Sequence, residues 1–352
     1  MKLDRLALLI VLLVLFISLA PAAAKDNSDK KDHKTIEAGD HAQTTSDHAQ
    51  DKGTHGHVNL GETLPLYTCI PFAFMLLSIA LLPLIAENFW HHHFGKISAF
   101  WAACLAIPFI TVYKGIAVYE ILHIILADYV PFIILLWALF TISGGILLKG
   151  TLRGTPVVNT IIILIGTILA SWMGTTGAAM LLIRPFLRAN AHRQNKTFMV
   201  VFFIFLVANI GGSLTPLGDP PLFLGFLHGV SFFWTFNILP HMLTAAMILL
   251  VIYFILDTYY YKKEGAKAPD DGEKKPLRLV GTYNFLFLGG VVGSVLMSGV
   301  LDLGEISTLG IHRPIQDWLR DGLLIIFGIG SLMATPRVLR EENEFSWFPI
   351  IE

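Results

Sequence analysis

Between Asn209 and Pro221 the chain reads Asn-Ile-Gly-Gly-Ser-Leu-Thr-Pro-Leu-Gly-Asp-Pro-Pro, a run dense in small oxygen donors and in residues that stop a helix. Asn209, Ser213, Thr215 and Asp219 offer side-chain oxygens, and a chain broken at Gly211, Gly212, Pro216, Gly218, Pro220 and Pro221 frees backbone groups beside them. Such a set could surround a small cation or a proton, or hold a carboxylate on freed N–H groups. A second run, Gly174-Thr175-Thr176-Gly177, sets two hydroxyls between two glycines. Asp219 is the only carboxylate from Val157 to Leu256. With Pro220 after it, Asp219 also has the signature of a helix start, so helix capping is the competing reading of this residue.

Other candidates are weaker. Consecutive His91, His92 and His93 could belong to a membrane metal enzyme, but the other histidines near the membrane, His123, His192, His228, His241 and His312, are isolated in sequence. A small repeat, Asp40-His41-Ala42-Gln43 and Asp47-His48-Ala49-Gln50, is followed by His55 and His57, which could bind a metal loosely at best. Cys69 and Cys104 both fall in apolar runs and give no support to a disulfide framework or a Cys metal site. Glu120, His123 and Asp128 share a short amphipathic stretch that reads as an interfacial helix.

The elements that carry these residues are set by composition. Of 352 residues, 54% are hydrophobic and 14% charged, with mean hydropathy +0.64. These values exclude a soluble cytoplasmic enzyme and predict an all-α polytopic membrane protein. A formal net charge of −1 gives no sign of a nucleic-acid partner; the lipid bilayer is the partner the composition implies. Residues 1–24 read as a cleavable signal peptide, with Lys2 and Arg5 before an apolar core and Ala22-Ala23-Ala24 at its end; an uncleaved first helix is the alternative. Residues 25–62 form a His-rich polar stretch, expected to be a disordered extracytoplasmic tail. Residues 63–352 are then the membrane domain of a multi-pass protein of the bacterial-type inner membrane.

Ordinary spans are expected near 65–86, 97–114, 130–148, 239–261, 281–300 and 322–338. Basic residues orient them. Lys96, the Lys149 and Arg153 pair, the Arg184 to Lys196 cluster, the Lys262 to Arg278 cluster, and Arg337 with Arg340 fall on one, cytoplasmic side; Lys114, Arg313 and Arg320 fall on the other. Basic flanks on both sides of 157–188 predict that the segment enters and returns, as a re-entrant hairpin with Gly174 to Gly177 at its tip; the alternative, one kinked spanning helix, would put the Arg184 to Lys196 cluster outside, against the charge rule. From Thr197 to Val230 the glycines and prolines require two half-helices joined by extended chain, the second starting at about Pro220. An ionised Asp at the bilayer centre costs about 2.5–3.5 kcal/mol, which makes Asp219 a functional candidate by default.

The Asn209 to Pro221 run resembles the broken-helix motif of the ion transporter superfamily, especially NhaD-type sodium/proton antiporters and related citrate-transporter-like proteins. Gly174-Thr175-Thr176-Gly177 looks like the tip of that family's re-entrant hairpin, and His91-His92-His93-Phe94-Gly95-Lys96 like a feature of one branch. The resemblance covers roughly residues 64–352. It implies secondary active transport by alternating access, with Na⁺ exchanged for H⁺ at Asp219 and the neighbouring hydroxyls, or transport of citrate or another carboxylate; no cofactor is implied. No Lys or Arg lies from Thr155 to Ile183 or from Thr197 to Tyr261, which favours a small cation. Members resemble two inverted repeats, whereas this sequence carries one hairpin and one broken helix, half of that arrangement. The expectation is the first part of a split transporter, completed by a separate chain or by homodimerisation, or else an inactive fragment.

Overall fold

The computed structural model describes residues 64–265, 276–308, 310–347 and 350. The expected signal peptide, the tail with His41, His48, His55 and His57, and the loop lysines Lys267, Lys274 and Lys275 lie outside the described residues. The chain divides into two units between Val118 and Tyr119.

In the first unit a 3₁₀ turn, Leu66–Cys69, leads into α1 (Ile70–Ile85), and α2 (Glu87–His123) follows after Ala86. Trp101 donates its indole N–H to Ser78 Oγ at 3.1 Å and stacks on Phe74, which fixes α2 against α1. Within α2, Lys114 has φ 48° and ψ −118°, a conformation that non-glycine residues rarely adopt. This kink lies where the hydropathy places the end of the 97–114 span. His92 and His93 each turn onto the carbonyl one turn back, Asn88 at 2.8 Å and Phe89 at 3.1 Å. Neighbouring positions on a helix diverge by about 100°, so the three histidines do not converge. Among the described residues no group of three or more His, Cys, Asp or Glu is placed to hold a metal.

The second unit carries a π-helical turn (Ile124–Tyr129), α3 (Val130–Ser143), β1 (Leu147–Lys149), α4 (Pro156–Met173), α5 (Thr175–Ala189) and α6 (Thr197–Leu206). After a 3₁₀ turn (Ile210–Leu214) come α7 (Pro220–Leu227), a second 3₁₀ turn (Trp234–Ile238) and α8 (Leu239–Lys263). The chain then continues through β2 (Arg278–Val280), α9 (Asn284–Val300), β3 (Glu305–Thr308), β4 (Ile311–Pro314), α10 (Ile315–Ala334) and α11 (Arg337–Glu342). The protein is an all-α polytopic membrane protein, with five described helical segments long and apolar enough to cross a bilayer. The short strands are connectors: β1 pairs antiparallel with β2, Leu147 opposite Val280, and β3 pairs with β4.

Three expected spans change at their ends. The 97–114 span lies within the longer α2, so Lys96 and Lys114 belong to that element, Lys114 at its kink, rather than to loops. The 130–148 span stops at Ser143, because Gly144 and Gly145 lead out of the helix into β1. The carbonyls this leaves are met by side chains: Arg340 donates to Thr141 O at 2.7 Å, Asn284 to Gly145 O at 3.0 Å, and Asn343 to Gly144 O at 3.1 Å and Ile146 O at 3.2 Å. The 322–338 span begins earlier, at Ile315, so Arg320 is a helical residue rather than a loop cation. It is buried, paired with Asp317 at 2.9 Å and Asp321 at 3.0 Å, while Arg313 of β4 also meets Asp321. Paired charges can enter a low-dielectric interior that a lone charge cannot.

Residues 157–188 form the expected hairpin. Thr155 caps α4, its Oγ1 accepting from Val158 N at 3.4 Å, and Pro156 occupies the first turn, where its missing N–H is harmless. The 18 residues of α4 reach about 27 Å. Gly174 then has φ 79° and ψ 151°, a conformation essentially closed to residues with a Cβ, and the chain reverses into α5. The two ends of the hairpin meet in a reciprocal amide pair, Asn159 Nδ2 to Asn190 Oδ1 at 2.9 Å and Asn190 Nδ2 to Asn159 Oδ1 at 2.8 Å. Entry and exit therefore lie at the same end of the unit.

Candidate functional site

The hairpin tip and the helix break meet. Thr175 N, at the start of α5, donates to Gly218 O at 3.0 Å. Gly218 lies so close to Gly212 that a Cβ would stand 2.0 Å from the Gly212 carbonyl oxygen, so no other residue fits this crossing without moving backbone. The link between the half-helices is not the expected extended chain but the 3₁₀ turn Ile210–Leu214 followed by a tight turn in which Gly218 N donates to Thr215 O at 3.0 Å. It is threaded against the end of α4: Ser171 Oγ donates to Gly211 O, Thr215 Oγ1 donates to Ser171 O, and Leu217 N donates to Thr215 Oγ1 at 3.2 Å. Thr235 Oγ1 closes the far side by donating to Leu214 O at 2.6 Å.

This crossing leaves a cavity of about 180 Å³, walled by Leu135, Leu139 and Phe223 and floored by Gly174 to Gly177 and Pro216 to Pro220. Its polar side chains are Thr175, Thr176 and Asp219; among the described residues no Lys or Arg lines it. A larger cavity of about 550 Å³ runs along α5 from the same Thr175 and Thr176 to Arg184. Arg184 is held by Glu344, its Nε 3.1 Å from the carboxylate.

The residues singled out by sequence therefore separate. Thr175, Thr176 and Asp219 come together with Gly174, Gly177, Pro216, Gly218 and Pro220 on the small cavity. Thr215 is fully buried with its hydroxyl used twice, Ser213 donates to Ile210 O at 2.9 Å, and Asn209 donates to Ile204 O at 3.0 Å at the end of α6. Gly211 and Gly212 serve the crossing, and Pro221 sits in the first turn of α7. Asp219 occupies the N-cap position of α7 with φ −142° and ψ 139°, as the Asp-Pro signature requires, but its side chain makes no capping hydrogen bond. That corrects the capping reading: only the backbone of Asp219 does the work, its carbonyl accepting from Leu222 N at 3.1 Å.

Two features escape the sequence reading. Ser171 bridges hairpin and break from inside an apolar run, with no motif to mark it. Arg184 lies one residue beyond the cation-free stretch, yet Thr176, Met180, Ile183 and Arg184 follow helical spacing along one groove, a periodicity that could have placed it.

A multi-pass helical protein whose two discontinuous elements share one cavity has the architecture of a membrane transporter. The model of the family described as "Putative citrate transport" matches residues 61–352, and the chain belongs to that family. No curated protein and no solved structure matches the chain.

Proposed function

We propose that the protein is a secondary active transporter in the cell membrane that exchanges Na⁺ for H⁺ by alternating access, with the small cavity as its ion site. One observation carries this reading. Among the described residues, Thr175, Thr176 and Asp219 are the cavity side chains with no hydrogen bond of their own, and Asp219 is the one group there that can carry a proton or neutralise a cation. The hydroxyls supply further oxygens, whereas the N-termini of α5 and α7 present positive dipole ends that favour an anion rather than a cation.

A carboxylate such as citrate is the second reading. The family description favours it, as does the larger cavity, which joins Thr175 and Thr176 to the guanidinium of Arg184. A guanidinium is the side chain best shaped for a carboxylate.

Proteoliposomes carrying a pH-reporting dye separate the two. Added Na⁺ should dissipate an imposed pH gradient, and Asp219→Asn should abolish this with normal insertion. Uptake of labelled citrate that Arg184→Gln abolishes, with no Na⁺-driven proton movement, would replace the first reading by the second.

A further inference from the structure

Away from the cavity, at the open end of the hairpin, lies a buried ion pair. Arg193, in the turn after α5, and Asp257, on α8, both have side chains 0% exposed, and Arg193 Nη1 stands 2.7 Å from Asp257 Oδ1. The other carboxylate oxygen accepts from Asn159 Nδ2 at 2.8 Å and from the Tyr253 hydroxyl at 3.3 Å. Asn159 is one half of the amide pair that closes the hairpin. Arg193 is held again at Nε by Glu264 at 3.1 Å, and Glu264 also accepts from the backbone N–H groups of Gln194 and Asn195. α8 in turn packs against α4, α6 and the 3₁₀ turn of the break.

A buried ion pair is a poor way to gain stability, since well-packed apolar side chains often serve as well or better, but it fixes geometry. The geometry here is the angle of the hairpin. From Asn159 to Met173 the helix is a rigid arm of about 21 Å, so a swing of about 3° at its base moves the tip by about 1 Å. Binding sites lose function at that looseness.

We infer that Arg193 and Asp257 are a positioning pair: through Asn159 and Asn190 they lock the hairpin to α8 and so hold Thr175 and Thr176 in register with Asp219. Its functional meaning rests on the cavity being the transport site; the geometry does not.

The test is a distance. Spin labels at Trp172→Cys, near the hairpin tip, and Thr244→Cys, on α8, are placed in a protein whose Cys69 and Cys104 are serine. Electron–electron resonance then gives the distance distribution in lipid nanodiscs without added Na⁺ or citrate. In a Glu264→Gln background, Arg193→Met combined with Asp257→Leu leaves no lone buried charge; it should elute as a single folded species with a distribution at least twice as wide as the parent's. The exchanged pair, Arg193→Asp with Asp257→Arg, should narrow it again. A parental width in the apolar double variant overturns the inference. Should that variant not accumulate, Asp257→Asn keeps the side-chain shape and removes the charge: broadening supports the pair, and an unchanged width overturns it. Absence of Na⁺ exchange by the parent would sink the site assignment while leaving the positioning result standing.

Discussion

Thr215→Val removes one hydroxyl from the crossing of hairpin and break while keeping the side-chain volume. Thr215 is 0% exposed, and its Oγ1 donates to Ser171 O and accepts from Leu217 N at 3.2 Å. The methyl that replaces it can do neither. Ser171 lies in the last turn of α4, where carbonyls have no partner inside the helix, and Leu217 N lies inside a tight turn outside any helix or strand, so neither group has a substitute. A buried polar group left unsatisfied costs about 1–3 kcal/mol; two of them, with partial relaxation, give about 2–4 kcal/mol. At 1.4 kcal/mol per tenfold, the unfolded population rises about thirtyfold to several hundredfold. Thermal melting in detergent, followed by fluorescence-detected size-exclusion chromatography, should show a clear fall for Thr215→Val and recovery of most of it for Thr215→Ser. If Thr215→Val melts like the parent but raises the Na⁺ concentration for half-maximal exchange more than tenfold, the hydroxyl faces the ion and the structural argument fails.

Asp219→Ala should accumulate and melt within about 0.5 kcal/mol of the parent, because no capping bond is lost, whereas loss of a working cap costs about 0.5–2 kcal/mol; the same melting series checks it. Glu264 sets a pH dependence outside the membrane: burial pushes its carboxyl up, but hydrogen bonds from Asn195 and Arg193 outweigh this and hold it below the ordinary glutamate range. Such a group contributes stability above the unfolded value of about 4.3 and loses it as pH falls through the folded value. Amide exchange at Gln194 and Asn195, corrected for the intrinsic pH effect, should therefore accelerate on acidification in the parent and stay flat in Glu264→Gln. Cysteines at Thr151 and Ala191, both exposed, should be labelled from one side of the membrane, the side of the basic clusters; labelling from opposite sides would contradict the hairpin.

What the sequence made legible was local. Gly174 ends α4 because of its own backbone, and Pro220 starts α7 because its fixed φ suits a first turn where no N–H is needed, so these two boundaries were legible. The first half-helix, expected to reach Ile210, stops at Leu206, and Thr175 to Gly177 already belong to α5. The meeting of Leu147–Lys149 with Arg278–Val280, or of Arg193 with Asp257, depends on how helices pack and leaves no periodicity to read. Asp257 sits inside an apolar run beside tyrosines, and nothing in that run names a partner 64 positions away. The charge rule was blind in the same way to Arg313 and Arg320, which it counted as loop cations although both are neutralised inside the fold.

The polar residues around the break teach a further distinction. A helix interrupted at membrane depth exposes carbonyls and N–H groups that no water satisfies, and neighbouring side chains must meet them. Ser171, Ser213, Thr215, Thr235 and Asn209 each donate to a carbonyl at or beside the interruption. Small hydroxyl and amide residues therefore gather at a broken helix whether or not it binds anything, and their presence there marks the break before it marks a ligand. The side chains that point to a ligand are those the backbone has not claimed. On this cavity they are Thr175, Thr176 and Asp219, a smaller set than the motif suggests and one supplied from both the hairpin and the break. If this cavity is the transport site, its division between two elements makes it responsive to any motion of one against the other, which the proposed alternating access requires.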